Sequence, residues 1–222
     1  MIETVRNAWK VPELRKKIMF TIFALLIFRL GSAVPVPYID STTLETYLAA
    51  QSGTILGLMN AMSGSAFSMA TVFALSIQPY INASIIIQLL TVAIPALERL
   101  AKEGGEDGKK KIERITRYTT VGLGLLMGWA YYMMLRNYSS QISIITSEGL
   151  LPALVIILAF TAGSALVMWL GEQITEFGIG NGISIILFAG ILSRVPSMVS
   201  AMSISLKPGT MQWGHALLVV IG

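Results

Sequence analysis

The amino-acid sequence predicts an all-α fold, a polytopic membrane helix bundle, and three observations carry that prediction. Hydrophobic residues make up 54% of the 222 and charged residues 13%, with a mean hydropathy of +0.70, a balance outside that of soluble domains. Residues 46–97 contain no Asp, Glu, Lys or Arg, in a segment too long and too mixed to be one ordinary membrane helix. The basic residues are also asymmetric. Arg6, Lys10, Arg15, Lys16 and Lys17 precede the first apolar run, and Arg99, Lys102, Lys109, Lys110, Lys111, Arg114 and Arg117 follow the second; only Arg29, Arg136, Arg194 and Lys207 lie elsewhere. Such a bias marks cytoplasmic segments, so it predicts a cytoplasmic amino terminus and explains the basic excess by topology rather than nucleic acid.

The chain opens with a polar, basic segment, residues 1–17. Span one is predicted over residues 18–36. A cleaved signal peptide is the weaker reading, because Arg29 falls where a signal is neutral and the chain continues as a membrane protein. Pro35 and Pro37 then force an extended exit, and a short outer helix capped by Ser41 or Thr42 is expected. Residues 53–73, rich in Gly, Ser, Ala and Met, suit a small, movable, weakly packed piece rather than a spanning helix.

Span two is predicted over residues 76–95. At 3.6 residues per turn Ile77, Ile81, Ser84 and Gln88 share one face, with Gln78 and Asn82 on the neighbouring strip. An unpaired amide in hydrocarbon costs several kcal/mol, so these residues either line a cavity or bond to neighbouring helices. The charged stretch 96–117 reads as a solvated cytoplasmic hairpin bending at Gly104, Gly105 and Gly108, or alternatively as a docking surface.

Span three, residues 118–135, carries Gly124 and Gly128 at a spacing that lets another helix approach. Span four, residues 150–170, is charge-free and long enough to cross a bilayer. A cytoplasmic loop is predicted over 171–182, where Glu172 and Glu176 suit capping or partner contacts better than paired acid–base chemistry. Gly178, Gly180 and Gly182 are read as a turn into span five, because no strand precedes them and no Lys follows as a phosphate loop demands. Residues 18–214 thus form a five-span unit, and 215–222 read as the start of a sixth span. An unfinished span suggests one half of a duplicated architecture. The absence of cysteine and the lone His215 leave no thiolate site, and no nucleophile paired with a base. No catalytic residue, metal site or cofactor is expected. A secondary transporter, the other class built on inverted repeats, calls for an ionisable coupling residue within a span, which only Arg29 and Arg194 approach.

Four segments, RLGSAVPVPYID (29–40), ALSIQPYINASIIIQLLTV (74–92), KEGGEDGKKKIERITRYTT (102–120) and MWLGEQITEFGIGNGISIILFAGI (168–191), resemble signature segments of the bacterial SecY family, protein-conducting channel subunits of the Sec translocon. The resemblance implies one half of an inverted-repeat channel for unfolded, signal-bearing polypeptides, with sideways exit of hydrophobic segments into lipid. It implies a pore ring of Ile77, Ile81, Ile183 and Leu187, the last departing from the commoner isoleucine. It also implies a plug over about 57–73, including Gly57, Met59, Asn60, Met62, Ser63, Gly64 and Ser65, and a lateral-gate lining of Gln78, Asn82, Ser84 and Gln88. Lys109, Lys110, Lys111, Arg114 and Arg117 become a cytoplasmic docking face. The implied partners are SecE, SecG, the SecA motor or the ribosome, membrane lipid, and a carboxy-terminal half or a second copy of this half to complete the pore. The implied location is the bacterial inner membrane.

Overall fold

The structure, a computed structural model, describes residues 11–50, 55–102, 104–139, 143–147, 149–193 and 195. The first ten residues of the basic lead, the end of the five-span unit from 196 and the sixth-span start 215–222 lie outside the described residues. The described residues form eight helices: α1 Pro12–Gly31, α2 Ser41–Ala50, α3 Ile55–Met62, α4 Gln78–Ala93, α5 Pro95–Lys102, α6 Gly105–Ser139, α7 Leu150–Phe177 and α8 Gly182–Leu192. Helix α7 is the central member, packing against α1, α6 and α8, while α6 packs on α4 and α5.

Helix α1 starts at Pro12, whose missing N–H costs nothing in a first turn. Its 20 residues reach about 30 Å, one bilayer core. It ends at Gly31, earlier than the predicted 36, and the Ser32 hydroxyl and N–H both donate to the Phe28 carbonyl. The exit is extended and paired at Pro35, but Pro37 and Tyr38 form a turn, with Tyr38 at φ 69°. Val36 N–H donates to the Ala70 carbonyl, Val72 N–H donates to the Val34 carbonyl, and Pro35 bridges Thr71. A second bridge joins Ile39 to Ile145. The cap of α2 is Asp40 rather than Ser41 or Thr42: its carboxylate accepts from the N–H groups of Thr42 and Thr43 and from both hydroxyls.

Span two begins at Gln78, two residues later than predicted, with Pro79 in its first turn. It ends at Ala93, because Ile94 precedes Pro95 and is held extended. Helix α5 leaves at 101° to α4. Much of the predicted 96–117 hairpin is therefore helical, and its bend lies at Gly104 and Gly105, where Gly105 has φ +56°. Gly108 is inside α6, and a Cβ there would strike the Leu100 carbonyl, so it admits close packing of α5 rather than a turn. Helix α6 continues unbroken through span three. Gly124 and Gly128 are its contact with α7, where an added Cβ would lie 2.9 Å from Ser164 Oγ and 3.2 Å from the Ile157 carbonyl. Helix α7 extends to Phe177, so the predicted 171–182 loop shrinks to the four residues between Phe177 and Gly182. Asn181 caps α8, its side-chain oxygen accepting from the N–H groups of Ile183 and Ser184.

Among the described residues α7 alone is long and apolar enough to cross a membrane, and a second span is added if the bent α4–α5 pair counts as one, against the five that the sequence predicts. Charge and breakage account for the difference. Lys16 and Lys17 lie inside α1, the basic half of α6 is continuous with its apolar half, and α8 has 11 described residues, about 16 Å.

Two apolar cores result. One gathers Leu44, Phe67, Leu75, Tyr131, Leu135 and Phe160; the other gathers Phe28, Phe73, Ile77, Val167, Ile174 and Ile186.

Candidate functional site: an apolar cluster and a buried strap

The second core contains the four predicted ring residues. Ile77, the residue before α4, is fully buried, and Ile81, Ile183 and Leu187 pack around the same cluster. Ile77 and Ile183 of these meet at Gly171 of α7. A Cβ there would sit 3.3 Å from Ile77 Cδ1, 3.6 Å from Ile183 Cγ1 and 3.6 Å from Ile186 Cδ1. Two helix starts, of α4 and α8, thus deliver branched apolar side chains to one point. Ile186 is fully buried there and was not singled out from the sequence. Its spacing of three from Ile183 was the available signal.

The polar strip of α4 divides. Gln78 is half-buried and its Nε2 donates to Met62 Sδ at 3.4 Å, toward α3. Asn82 is exposed and turns to Met127 Sδ of α6 at 3.9 Å. Ser84 donates to the Ile81 carbonyl, so it is satisfied within its own helix. Gln88 is exposed. Of the two readings left open, neighbour bonding fits Gln78 and Asn82.

The predicted plug separates into two parts. Gly57, Met59, Asn60 and Met62 belong to α3, and Met59 packs on the first core. Ser63, Gly64 and Ser65 form a tight turn; Asn60 organises it, its carbonyl accepting from Ser65 N–H and its Oδ1 from Ser68 N–H. Arg29 Nη1 reaches the Gly64 carbonyl at 3.5 Å. Gly64 lies against α8, where a Cβ would be 2.7 Å from Ser193 Oγ and 3.0 Å from the Gly190 carbonyl.

The remainder of the predicted plug is core. Ala66, Phe67, Ser68, Ala70, Thr71 and Phe73 are buried, not weakly packed. The Tyr131 hydroxyl donates to the Phe67 carbonyl at 2.6 Å, Phe67 and Phe160 flank the Tyr131 ring, and Phe73 stacks on Phe28. At Gly163 of α7 the strap carbonyl of Val72 approaches so closely that a Cβ could not fit.

The end bearing Lys109, Lys110, Lys111 and Arg114 is an exposed face of α6. Arg117 departs from it: its Nε pairs with Glu172 Oε1 of α7 at 2.8 Å, which raises the guanidinium pKa further above its ordinary value. A cavity of about 410 Å³ beside this pair is lined by Tyr80, Glu113, Glu172, Thr175 and Asn181. A second, of about 560 Å³, lies at the other end, lined by Arg29, Glu45, Ser65 and Ser193.

A sequence model of the SecY family matches residues 71–222. The protein translocase subunit SecY of Buchnera aphidicola subsp. Acyrthosiphon pisum (strain APS) is 47% identical over 189 residues, covering 85% of this chain and 43% of the relative. That of Escherichia coli (strain K12) is 42% identical, covering 94% and 47%, and that of Streptomyces griseus is 42% identical, covering 99% and 52%. The chain spans about half the length of the curated relatives it matches. Among solved structures, the chain resembles Sec61 in the canine ribosome-channel complex from the endoplasmic reticulum, with a TM-score of 0.61 at 16% identity over 94% of this chain and 47% of that one. A structure described as that of a protein conducting channel gives 0.58, also at 16% identity, with the same coverage of 94% and 47%. On the sequence matches, the chain belongs to the SecY family.

Proposed function

We propose that the chain forms one wall of a protein-conducting channel in the bacterial inner membrane, multi-pass with its amino terminus cytoplasmic. Unfolded, signal-bearing polypeptides cross through it, and hydrophobic segments leave sideways into lipid past Gln78, Asn82, Ser84 and Gln88. The observation that carries the reading is the convergence of Ile77, Ile81, Ile183 and Leu187 on one apolar cluster that also holds Phe73 of the 63–77 strap. Branched apolar side chains offer ions no ligands, so such a ring can close around an extended chain as a gasket. Helix α3 with the Ser63–Gly64–Ser65 turn is the plug. The other wall comes from a carboxy-terminal half or a second copy of this chain, with SecE and SecG alongside. The SecA motor or the ribosome docks on Lys109, Lys110, Lys111 and Arg114.

Replacing Ile77, Ile81, Ile183 and Leu187 with Gly in the complete channel raises ion conductance across planar bilayers and relaxes selection among signal sequences. Unchanged conductance would remove these residues from the pore.

A further inference from the structure

Between Ser63 and Ile77 the backbone adopts conformations that L side chains rarely take. Gly64, Ser65, Ala70 and Ser76 have φ of 64°, 75°, 45° and 49°, and three of the four are not glycine. Strain of this kind persists only where surrounding structure enforces it. Here the enforcement is visible: Val34 and Val36 pair with Val72 and Ala70, and Tyr131 holds Phe67.

Ser76 carries a second burden. The residue is 2% exposed, and its hydroxyl has no hydrogen-bond partner among the described residues. It sits immediately before the fully buried Ile77. The break there cannot be relieved by extending α4 backwards, because Pro79 has no N–H for the Leu75 carbonyl and its ring would crowd that group. The fully buried Ile77 is therefore attached to the one point of the strap where a positive φ and an unpartnered buried hydroxyl coincide.

We propose that residues 63–77 are a cocked strap, and that the left-handed backbone and orphan hydroxyl at Ser76 bias the shut channel toward release. The inference rests on the channel reading above and adds the residue at which the shut state is poised. Ser76→Gly removes both burdens and holds the strap shut. Ser76→Val removes the hydroxyl but puts a β-branched side chain at positive φ, which increases the strain.

The test is ion leak through the complete channel in planar bilayers, with the chains that co-purify with it, in an Ile81→Gly background that loosens the ring. Adding Ser76→Gly is expected to lower that leak about tenfold and adding Ser76→Val to raise it about tenfold. If Ile81→Gly leaks and Ser76→Gly leaves the leak unchanged while raising the melting temperature, Ser76 burdens the fold as a whole and the strap proposal fails alone. An increased leak with Ser76→Gly overturns it equally. If Ile81→Gly does not leak at all, the channel reading fails and the proposal falls with it.

Discussion

From α6 the Tyr131 hydroxyl reaches the Phe67 carbonyl, and the same ring lies 4.7 Å from Phe67 and 4.9 Å from Phe160 by centroid. Tyr131→Phe keeps the ring contacts and removes this hydrogen bond while the Phe67 carbonyl still accepts from the Ala70 N–H, which costs about 0.5–1.5 kcal/mol. Thermal unfolding in detergent measures it, and an unchanged midpoint would show that the strap does not depend on this bond. Asp40 gives a pH prediction of defined sign. The hydroxyls of Thr42 and Thr43, with the Thr43 N–H, hold its carboxyl at about 2 against the ordinary 3.8. A depressed carboxyl pKa contributes stability that is present above the ordinary value and is lost as pH falls through the folded one. The hold on α2 therefore fades between about pH 4 and pH 2. A titration of the Asp40 carboxyl by NMR with a midpoint near 4 would contradict it.

At the scale of elements, the α6–α7 contact is set by small residues. Gly124 and Gly128 face Ser164 and the Ile157 carbonyl, and Tyr131 and Leu135 continue the same buried stripe one and two turns on. Gly124→Leu forces the helices apart and costs about 1–3 kcal/mol by overpacking. A double variant that also replaces Ser164 with Gly recovers part of that loss; no recovery would place the damage elsewhere. The Gly124 and Gly128 spacing was legible in the sequence because helix periodicity alone puts residues four apart on one face. The helix ends were less so. Pro95 and Asn181 announce a stop and a start locally, but nothing near Phe177 indicates that α7 would outrun its apolar stretch to bring Glu172 beside Arg117. That pair is half-exposed at the arginine and contributes at most about 1 kcal/mol, so its main effect is to take Arg117 out of the free basic face.

Across the whole molecule, the predicted plug is two objects with different consequences. Deleting α3, residues 55–62, and closing the gap with a short Gly/Ser linker removes Leu56 and Met59 from the edge of the first core but none of the buried members of either core, and is expected to give a folded channel that leaks ions. Deleting residues 66–76 removes Phe67, Ala70, Phe73, Ala74 and Leu75 from the two cores and is expected to abolish accumulation in the membrane. Protein abundance in membranes and bilayer conductance separate the two outcomes. Equal loss of protein in both variants would make α3 part of the core as well.

What the sequence by itself determined was the helical, membrane-embedded class and the basic end; the family resemblance grouped Ile77 and Ile81 with Ile183 and Leu187, and the structure packs all four on one apolar cluster. Composition, charge and the 3.6-residue period are local properties, and family motifs add order along the chain. Only the tertiary structure decided the fate of residues 63–77. Gly, Ser and Met in a run look permissive, yet the hydrogen bonds that bury this backbone come from Val34, Val36 and Tyr131, far away in the chain. An irregular segment enters a core when distant partners satisfy its N–H and C=O groups, and no local pattern encodes those partners.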